Sequence, residues 1–163
     1  MRLYEPSDLE ACRNLWRELT QRHRDIYDDP TIGGADPGPA FDEHLTREDL
    51  ANVWVAERGG EVIGLCGLLI EGYVGEVEPV VVTAAERSRG VGGKLVEKAL
   101  EEARARKLRF LNVRPVGRNV EAIRFFRRAG FGVLNRVELT IDLTHNILRR
   151  RDGVKLHGEQ FQY

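Results

Sequence analysis

The chain has 163 residues, 42% of them hydrophobic and 31% charged, with a formal net charge of −1. That length is enough to bury a core of its own, and the composition is that of an ordinary globular protein. The balanced charge excludes bulk attraction to nucleic acid or to an anionic membrane surface.

The first residues, Met1-Arg2-Leu3-Tyr4-Glu5-Pro6-Ser7-Asp8, contain no apolar stretch of the signal-peptide kind. The longest apolar run, residues 62–70, is broken by Gly64 and Gly67 and is too short to span a bilayer. A cytoplasmic protein with no membrane partner is therefore expected. Cys12 and Cys66 lack metal-ligand spacing and read as small buried apolar residues. His23, His44, His145 and His157 form no close pair, so no metal is expected.

In chain order, residues 2–4 predict a short strand. Ser7-Asp8-Leu9-Glu10 fits a capping box, with Ser7 and Glu10 satisfying the free donors of a helix start. Leu9, Cys12, Leu15, Trp16 and Leu19 then recur on one helical face. Residues 27–39 hold Pro30, Gly33, Gly34, Pro37, Gly38 and Pro39 and predict a loop, and Thr46-Arg47-Glu48-Asp49 would open a second short helix. Two β-rich runs, 52–57 and 62–70, flank the hairpin signal Arg58-Gly59-Gly60-Glu61, and a third strand is predicted over 74–82.

A short polar turn leads to Arg87-Ser88-Arg89-Gly90-Val91-Gly92-Gly93-Lys94 and an amphipathic helix whose buried stripe is Leu95, Val96, Ala99, Leu100 and Ala103. Lys98–Glu102 and Glu102–Arg106 are expected (i, i+4) pairs on its wet face. A strand over 108–113 and a helix over 119–129, stopped by Gly130, come next. Residues 131–143 and 154–161 read as β-like around Arg149-Arg150-Arg151, which is expected to be a solvated turn. The last of these segments offers pairing to a second subunit, so a homodimer is a possible assembly.

The order β-α-α-β-β-β-α-β-α-β describes an antiparallel meander running into a β-α-β crossover, expected to be parallel and right-handed. The fold class is mixed α/β (α+β): a central, mostly antiparallel sheet containing a parallel pair, with helices on both faces.

The glycine-rich turn between strand and helix is a place where several backbone N–H groups converge on an anion. A Walker A loop would need a hydroxyl after Gly93-Lys94, where Leu95 stands, and a first glycine where Ser88 stands. A dinucleotide fingerprint accommodates Gly90 and Gly92, but Leu95 occupies its third glycine and no acidic residue caps the next strand. The pattern that remains is Arg/Gln-x-x-Gly-x-Gly/Ala, matched by Arg87, Gly90 and Gly92. Downstream, Asn119-x-x-Ala122-x-x-Phe125-Phe126-x-x-x-Gly130-Phe131 follows at the expected separation. On these two motifs the chain resembles the GNAT superfamily of N-acetyltransferases. The resemblance is good over residues 52–143 and holds only in outline before and after them.

The resemblance implies one domain: an acceptor-side part at 1–51, a coenzyme A-binding core at 52–143 and a β extension at 144–163. It implies acetyl-CoA as co-substrate and no metal, with the pyrophosphate held by Arg87, Ser88, Arg89, Gly90, Val91, Gly92, Gly93 and Lys94. Pro79 cannot donate to a ladder, so it marks an edge or a bulge. In this family it implies a bulge, where the fourth strand splays from the fifth to admit the pantetheine arm. Val80 N–H would then face the thioester oxygen, and Val82, with Val81 between them, would pair with the pantetheine amides. Asn119 would bond the coenzyme or cap its own helix, a role that suits asparagine.

Glu76 and Glu78 lie at i, i+2 just before Pro79 and are the candidate catalytic bases, Glu76 first. If they share a pocket, one should have a raised pKa. Phe126 is the departure from the family motif. Many relatives carry there a tyrosine that protonates the leaving thiolate, whereas phenylalanine only packs beside the pantetheine, and Tyr73 is a substitute to consider. Phe125 and Phe131 read as core. The segment 27–44 carries Asp28, Asp29, Asp36, Asp42 and Glu43, an acidic rim suited to a cationic amine, or simply a solvated loop. The expected activity is direct acetyl transfer to a small-molecule or peptide amine. The alternative is an inactive acyl-CoA-sensing or partner-binding module on the same fold.

Overall fold

The computed structural model describes residues 1–141, 143 and 152–162. Strand β1 (Arg2–Leu3) leads through a 3₁₀ turn at Pro6–Asp8 into helix α1 (Leu9–Tyr27), and α2 (Ala40–Leu45) follows a long loop. Strands β2 (Leu50–Arg58), β3 (Glu61–Glu71) and β4 (Val74–Val82) precede α3 (Val91–Ala105), β5 (Phe110–Asn112) and α4 (Val120–Arg128). A terminal hairpin, β6 (Asp152–Leu156) and β7 (Glu159–Gln162), forms a separate two-stranded sheet. The main sheet has five strands in the order β1-β2-β3-β4-β5. Every pairing in it is antiparallel except β4 with β5, which is parallel.

Each face of the sheet has its own core. Cys12, Leu15 and Phe41 from α1 and α2 pack on Val55, Leu65 and Val81. On the other face Val91, Leu95 and Ala99 of α3 pack on Trp54, Cys66, Leu68 and Val77. Period-2 alternation along β3 feeds both: Leu65 goes one way, Cys66 and Leu68 the other. Burial on two faces is why β3 reads as a nearly continuous apolar run.

Several local expectations are corrected. The capping box forms at the 3₁₀ turn instead, with Glu5 as N-cap: Asp8 Oδ2 accepts the Glu5 N–H at 2.9 Å while Arg2 grips the same carboxylate at 2.6 and 2.8 Å. Pro6 starts the turn earlier than a Ser7 cap allows, and Glu10 turns instead to Arg13 and Arg17. The second short helix lies at Ala40–Leu45, ending where Thr46 was expected to begin it. Phe41 and His44 are buried there, and that packing fixes its position. Lys98 pairs with Glu101 rather than Glu102, while Arg106–Glu102 forms as expected.

Residues 131–141 form no strand, although Val137, Leu139 and Ile141 alternate; all three side chains are exposed, so no face is buried to hold a register. The arginine run at 149–151 lies outside the described residues. No helix among the described residues is long and apolar enough to cross a membrane, and no group of metal-binding side chains occurs among them.

Candidate active site

Two features of β4 create the site. The first is a break in the ladder with β3. Cys66 pairs with Val80 and Leu68 with Val77, so Gly67 alone faces both Glu78 and Pro79. This is a bulge at Pro79, in a strand that has β3 along one side and β5 along the other only as far as Glu76. A Cβ at position 67 would overlap the Glu78 carbonyl oxygen, so only glycine fits there.

The second feature is a short parallel pairing. β4 and β5 match at Val74–Phe110, Gly75–Leu111 and Glu76–Asn112, and no pairing continues beyond. β4 runs on to Val82, leaving Glu78 to Val82 without a partner on that side among the described residues. The parallel edge of β4 is therefore open in the stretch that carries the bulge.

At the end of that stretch stands the glycine turn. Gly90 is the N-cap of α3 with φ at +80°, a left-handed conformation that glycine adopts without strain. The first intrahelical bond runs from Lys94 N–H to Gly90 C=O at 3.2 Å. The N–H groups of Val91, Gly92 and Gly93 therefore precede any acceptor within the helix, at its positive end. Cβ atoms at Gly90 or Gly93 would meet nothing within 4 Å, and one at Gly92 would touch only Phe125 at 3.4 Å and Val82 beyond. The space over the turn is open, as a diphosphate would require.

The charged residues around the turn are turned back on the protein. Arg87 Nε donates to the Val82 carbonyl at 3.0 Å, and Arg87 also lies 3.6 Å from Glu18. Arg89 lies 3.5 Å from Glu86, which also pairs with Arg58. Ser88 and Lys94 are exposed beside the turn. Glu18 of α1, unmarked by any motif, accepts the Thr83 hydroxyl at 2.7 Å and the Ala84 N–H at 2.9 Å, tying α1 to the loop that enters the turn.

Glu76 and Glu78 differ in environment. Glu76 stands opposite Leu69, on the face that α1 and α2 cover, and is 9% exposed. Burial pushes its pKa up; Arg114, 2.9 Å away, opposes that, and Glu78 adds to it. Glu78 is more open and lies 4.0 Å from Arg47, which is held bidentately by Asp49 at 2.9 and 2.8 Å. Both arginines escaped sequence reasoning because each is far along the chain from its carboxylate. Also missed was His44, whose ring sits beside Trp16 with centroids 5.2 Å apart.

Asn119 caps α4, its Oδ1 accepting the Ala122 N–H at 3.1 Å. Phe126 packs edge-on between Phe125 and Phe131, at 5.0 and 5.7 Å. Phe125, read as core, is the ring that flanks the α3 N-terminus at Gly92. Tyr73 is corrected as a possible acid: it lies in the β3–β4 turn, 70% exposed. Seven residues of strand, roughly 20 Å, separate it from Val80. Two carboxylates of the acidic rim are neutralised within the fold. Arg17 grips Asp36 at 2.8 and 3.0 Å, and Arg13 pairs with Asp42.

A sequence model of the acetyltransferase (GNAT) family matches residues 10–131, so the likeness takes in α1 as well as the two motifs. No curated protein matches the chain. Among solved structures, an aminoglycoside N-acetyltransferase in complex with CoA is 20% identical, with a TM-score of 0.66, covering 87% of this chain and 93% of that one. A transcriptional regulator from Bacillus halodurans is 22% identical, with a TM-score of 0.63 and coverage of 86% and 97%. A ribosomal-protein-alanine N-acetyltransferase from Brucella melitensis is 26% identical, with a TM-score of 0.59 and coverage of 79% and 82%. At under a quarter identity, the first two speak to the fold alone.

Proposed function

The chain belongs to the acetyltransferase (GNAT) family, and from that premise we propose that it transfers the acetyl group of acetyl-CoA directly to a primary amine. The observation that carries this reading is the alignment of two openings along one strand: the unpaired edge of β4 beyond Glu76, and the bare α3 N-terminus at its end. An extended thiol arm and a diphosphate are the two chemical parts such a site suits. Backbone N–H groups of Val91, Gly92 and Gly93 bind the pyrophosphate, with Ser88 and Lys94 at its margin. Arg87 and Arg89 reach it only by leaving Val82, Glu18 and Glu86. Val81 and Val82 hold the pantetheine amides by strand-like pairing, and Phe126 and Asn119 line the far wall.

In the reaction the amine lone pair attacks the thioester carbonyl carbon, a C–N bond forms, the C–S bond breaks and coenzyme A leaves as thiolate. Val80 N–H stabilises the oxyanion that develops. An alkylammonium with a pKa near ~10.4 must first lose a proton. Glu76 takes it, since burial has already raised its affinity for a proton. Phe126 donates nothing, and a thiolate whose parent thiol has a pKa of about 8.5 is protonated by water. A covalent acyl-cysteine route is disfavoured: Cys12 and Cys66 are both buried, and burial pushes each thiol up to about 12.

The test is thiol release from acetyl-CoA across a panel of small amines, amino acids and peptides carrying free N-termini or lysines. Amine-dependent release supports the reading. Acetyl-CoA binding with no release on any member would favour an acyl-CoA-sensing module.

A further inference from the structure

The His44 ring is 5% exposed, packed against Trp16 and stacked near Phe41, and its Nε2 is buried with no hydrogen-bond partner. An unpaired buried polar atom is unfavourable, and folded proteins hold few of them. Phenylalanine would fill the same aromatic nest without that penalty. Nε2 also has a definite direction. It lies 3.1 Å from the point where a Cβ of Gly67 would stand, and the Glu78 carbonyl oxygen crowds that same point. Nε2 thus abuts the bulge, one residue from Pro79 and two from Val80.

We propose that His44 is a positioning residue for the acetyl donor: with acetyl-CoA bound, its Nε2–H donates to the Glu78 carbonyl and fixes the bulge so that Val80 N–H faces the thioester oxygen. This rests on the acetyl-transfer reading of the same site. The bulge sets two residues of β4 against one of β3, which leaves its carbonyls short of regular ladder partners. A ring nitrogen beside it is the natural donor. Burial, reinforced by the charge of Arg47 and opposed by Asp49, lowers the His44 pKa to about 4. The ring is therefore neutral at physiological pH, with one N–H to place.

The experiment compares affinities for acetyl-CoA and for coenzyme A by titration calorimetry in wild type, His44→Phe and His44→Gln. The thioester oxygen is present only in acetyl-CoA, so the ratio of the two constants reads the Val80 contact and not the glycine turn. His44→Phe is expected to melt at or above wild type, to bind coenzyme A unchanged, and to lose roughly 2- to 10-fold of the acetyl preference, the scale of one hydrogen bond. His44→Gln, which keeps a donor, should recover part of it. In wild type, the imidazole ¹⁵N resonance of Nε2 should move to that of a hydrogen-bonded N–H on adding acetyl-CoA. That spectrum decides the matter should His44→Phe not fold. An unchanged preference in folded His44→Phe, or an unmoved Nε2 resonance, overturns the proposal. A wild-type protein that binds neither ligand would instead overturn the acetyl-transfer reading on which it stands.

Discussion

The two sides of the β4 opening are built from different materials. The side that faces α3 is backbone: a left-handed Gly90, free N–H groups and missing Cβ atoms, all within a few residues of sequence. The side that faces α1 and α2 is side chains gathered from across the chain: Glu76 with Arg114, Glu78 with Arg47, Glu18 with Thr83. A backbone device answers to any ligand carrying the right anion. A side-chain constellation answers to one acceptor, and its groups set one another's charge.

The sharpest way to separate the sides is Glu76→Gln, which should leave coenzyme binding intact and lower kcat by roughly 10²- to 10⁴-fold, the usual yield of a positioned base. Stability should move the other way. The folded pKa of Glu76 is raised, so below the ordinary carboxyl value the residue is protonated in both folded and unfolded states and burial is harmless. As pH rises through the folded pKa, the buried group must ionise at a cost the unfolded chain does not bear, and stability falls. Glu76→Gln removes that fall, and the lost pair with the mostly exposed Arg114 is worth little. Thermal melts at pH 4 and pH 8 should therefore show the variant relatively more stable at pH 8. Wild-type-like turnover would remove Glu76 from the mechanism.

Gly67→Ala tests the bulge that joins the two sides. Its methyl group would overlap the Glu78 carbonyl, a backbone atom with little room to yield. A loss of about 3 kcal/mol is expected, at the upper end of overpacking effects, and a fall in Tm of roughly 6–12 °C. Gly93→Ala is its counterpart on the coenzyme side. There the new methyl meets no protein atom, and alanine is the better helix former, so the melt should rise by an amount matching ~0.5–1 kcal/mol. Coenzyme A should nonetheless bind roughly tenfold more weakly, because the methyl occupies the space left for the diphosphate. Unchanged affinity in this variant would move the pyrophosphate elsewhere.

This division of materials also explains what the sequence made legible. Strand β4 followed from a valine-rich run in which Pro79 marks an edge or a bulge, the family resemblance implying the bulge, and the glycine turn from glycines at the start of a helical pattern, since each cause lies within a few residues of its effect. Arg114, Arg47, Glu18 and His44 left no such trace, because a side-chain contact depends on where folding brings two distant segments. Residues 131–141 failed for a related reason. Alternating Val137, Leu139 and Ile141 define a face, but a strand also needs a neighbour to cover it, and the pattern does not name one. Glu76 and Glu78 stand out as a pair in the sequence, while the difference in their environments comes from the fold.

The smallest expected effect concerns the acidic rim. Read as sequence, Asp28, Asp29, Asp36, Asp42 and Glu43 invite a cationic acceptor. In the fold Asp36 accepts from Arg17 on both oxygens and from the Gly38 N–H on one, and the arginine hydrogen bond is the main reason its pKa falls to about 2. A carboxylate so engaged adds little field beyond its partner, and exposed pairs of this kind add little stability. Asp36→Asn should therefore leave KM for a dicationic amine within about twofold of wild type at 0.15 M salt and shift the neutral-pH melt by no more than roughly 2 °C. That small effect on stability should vanish in acid: the depressed pKa contributes above the ordinary aspartate value and is lost as pH falls toward the folded one, so wild type and variant should converge near pH 2. A large rise in KM for cationic amines alone would show that the rim recruits the acceptor despite its arginines. The acceptor-side charge would then have to be counted from the loop as a whole rather than from its ion pairs.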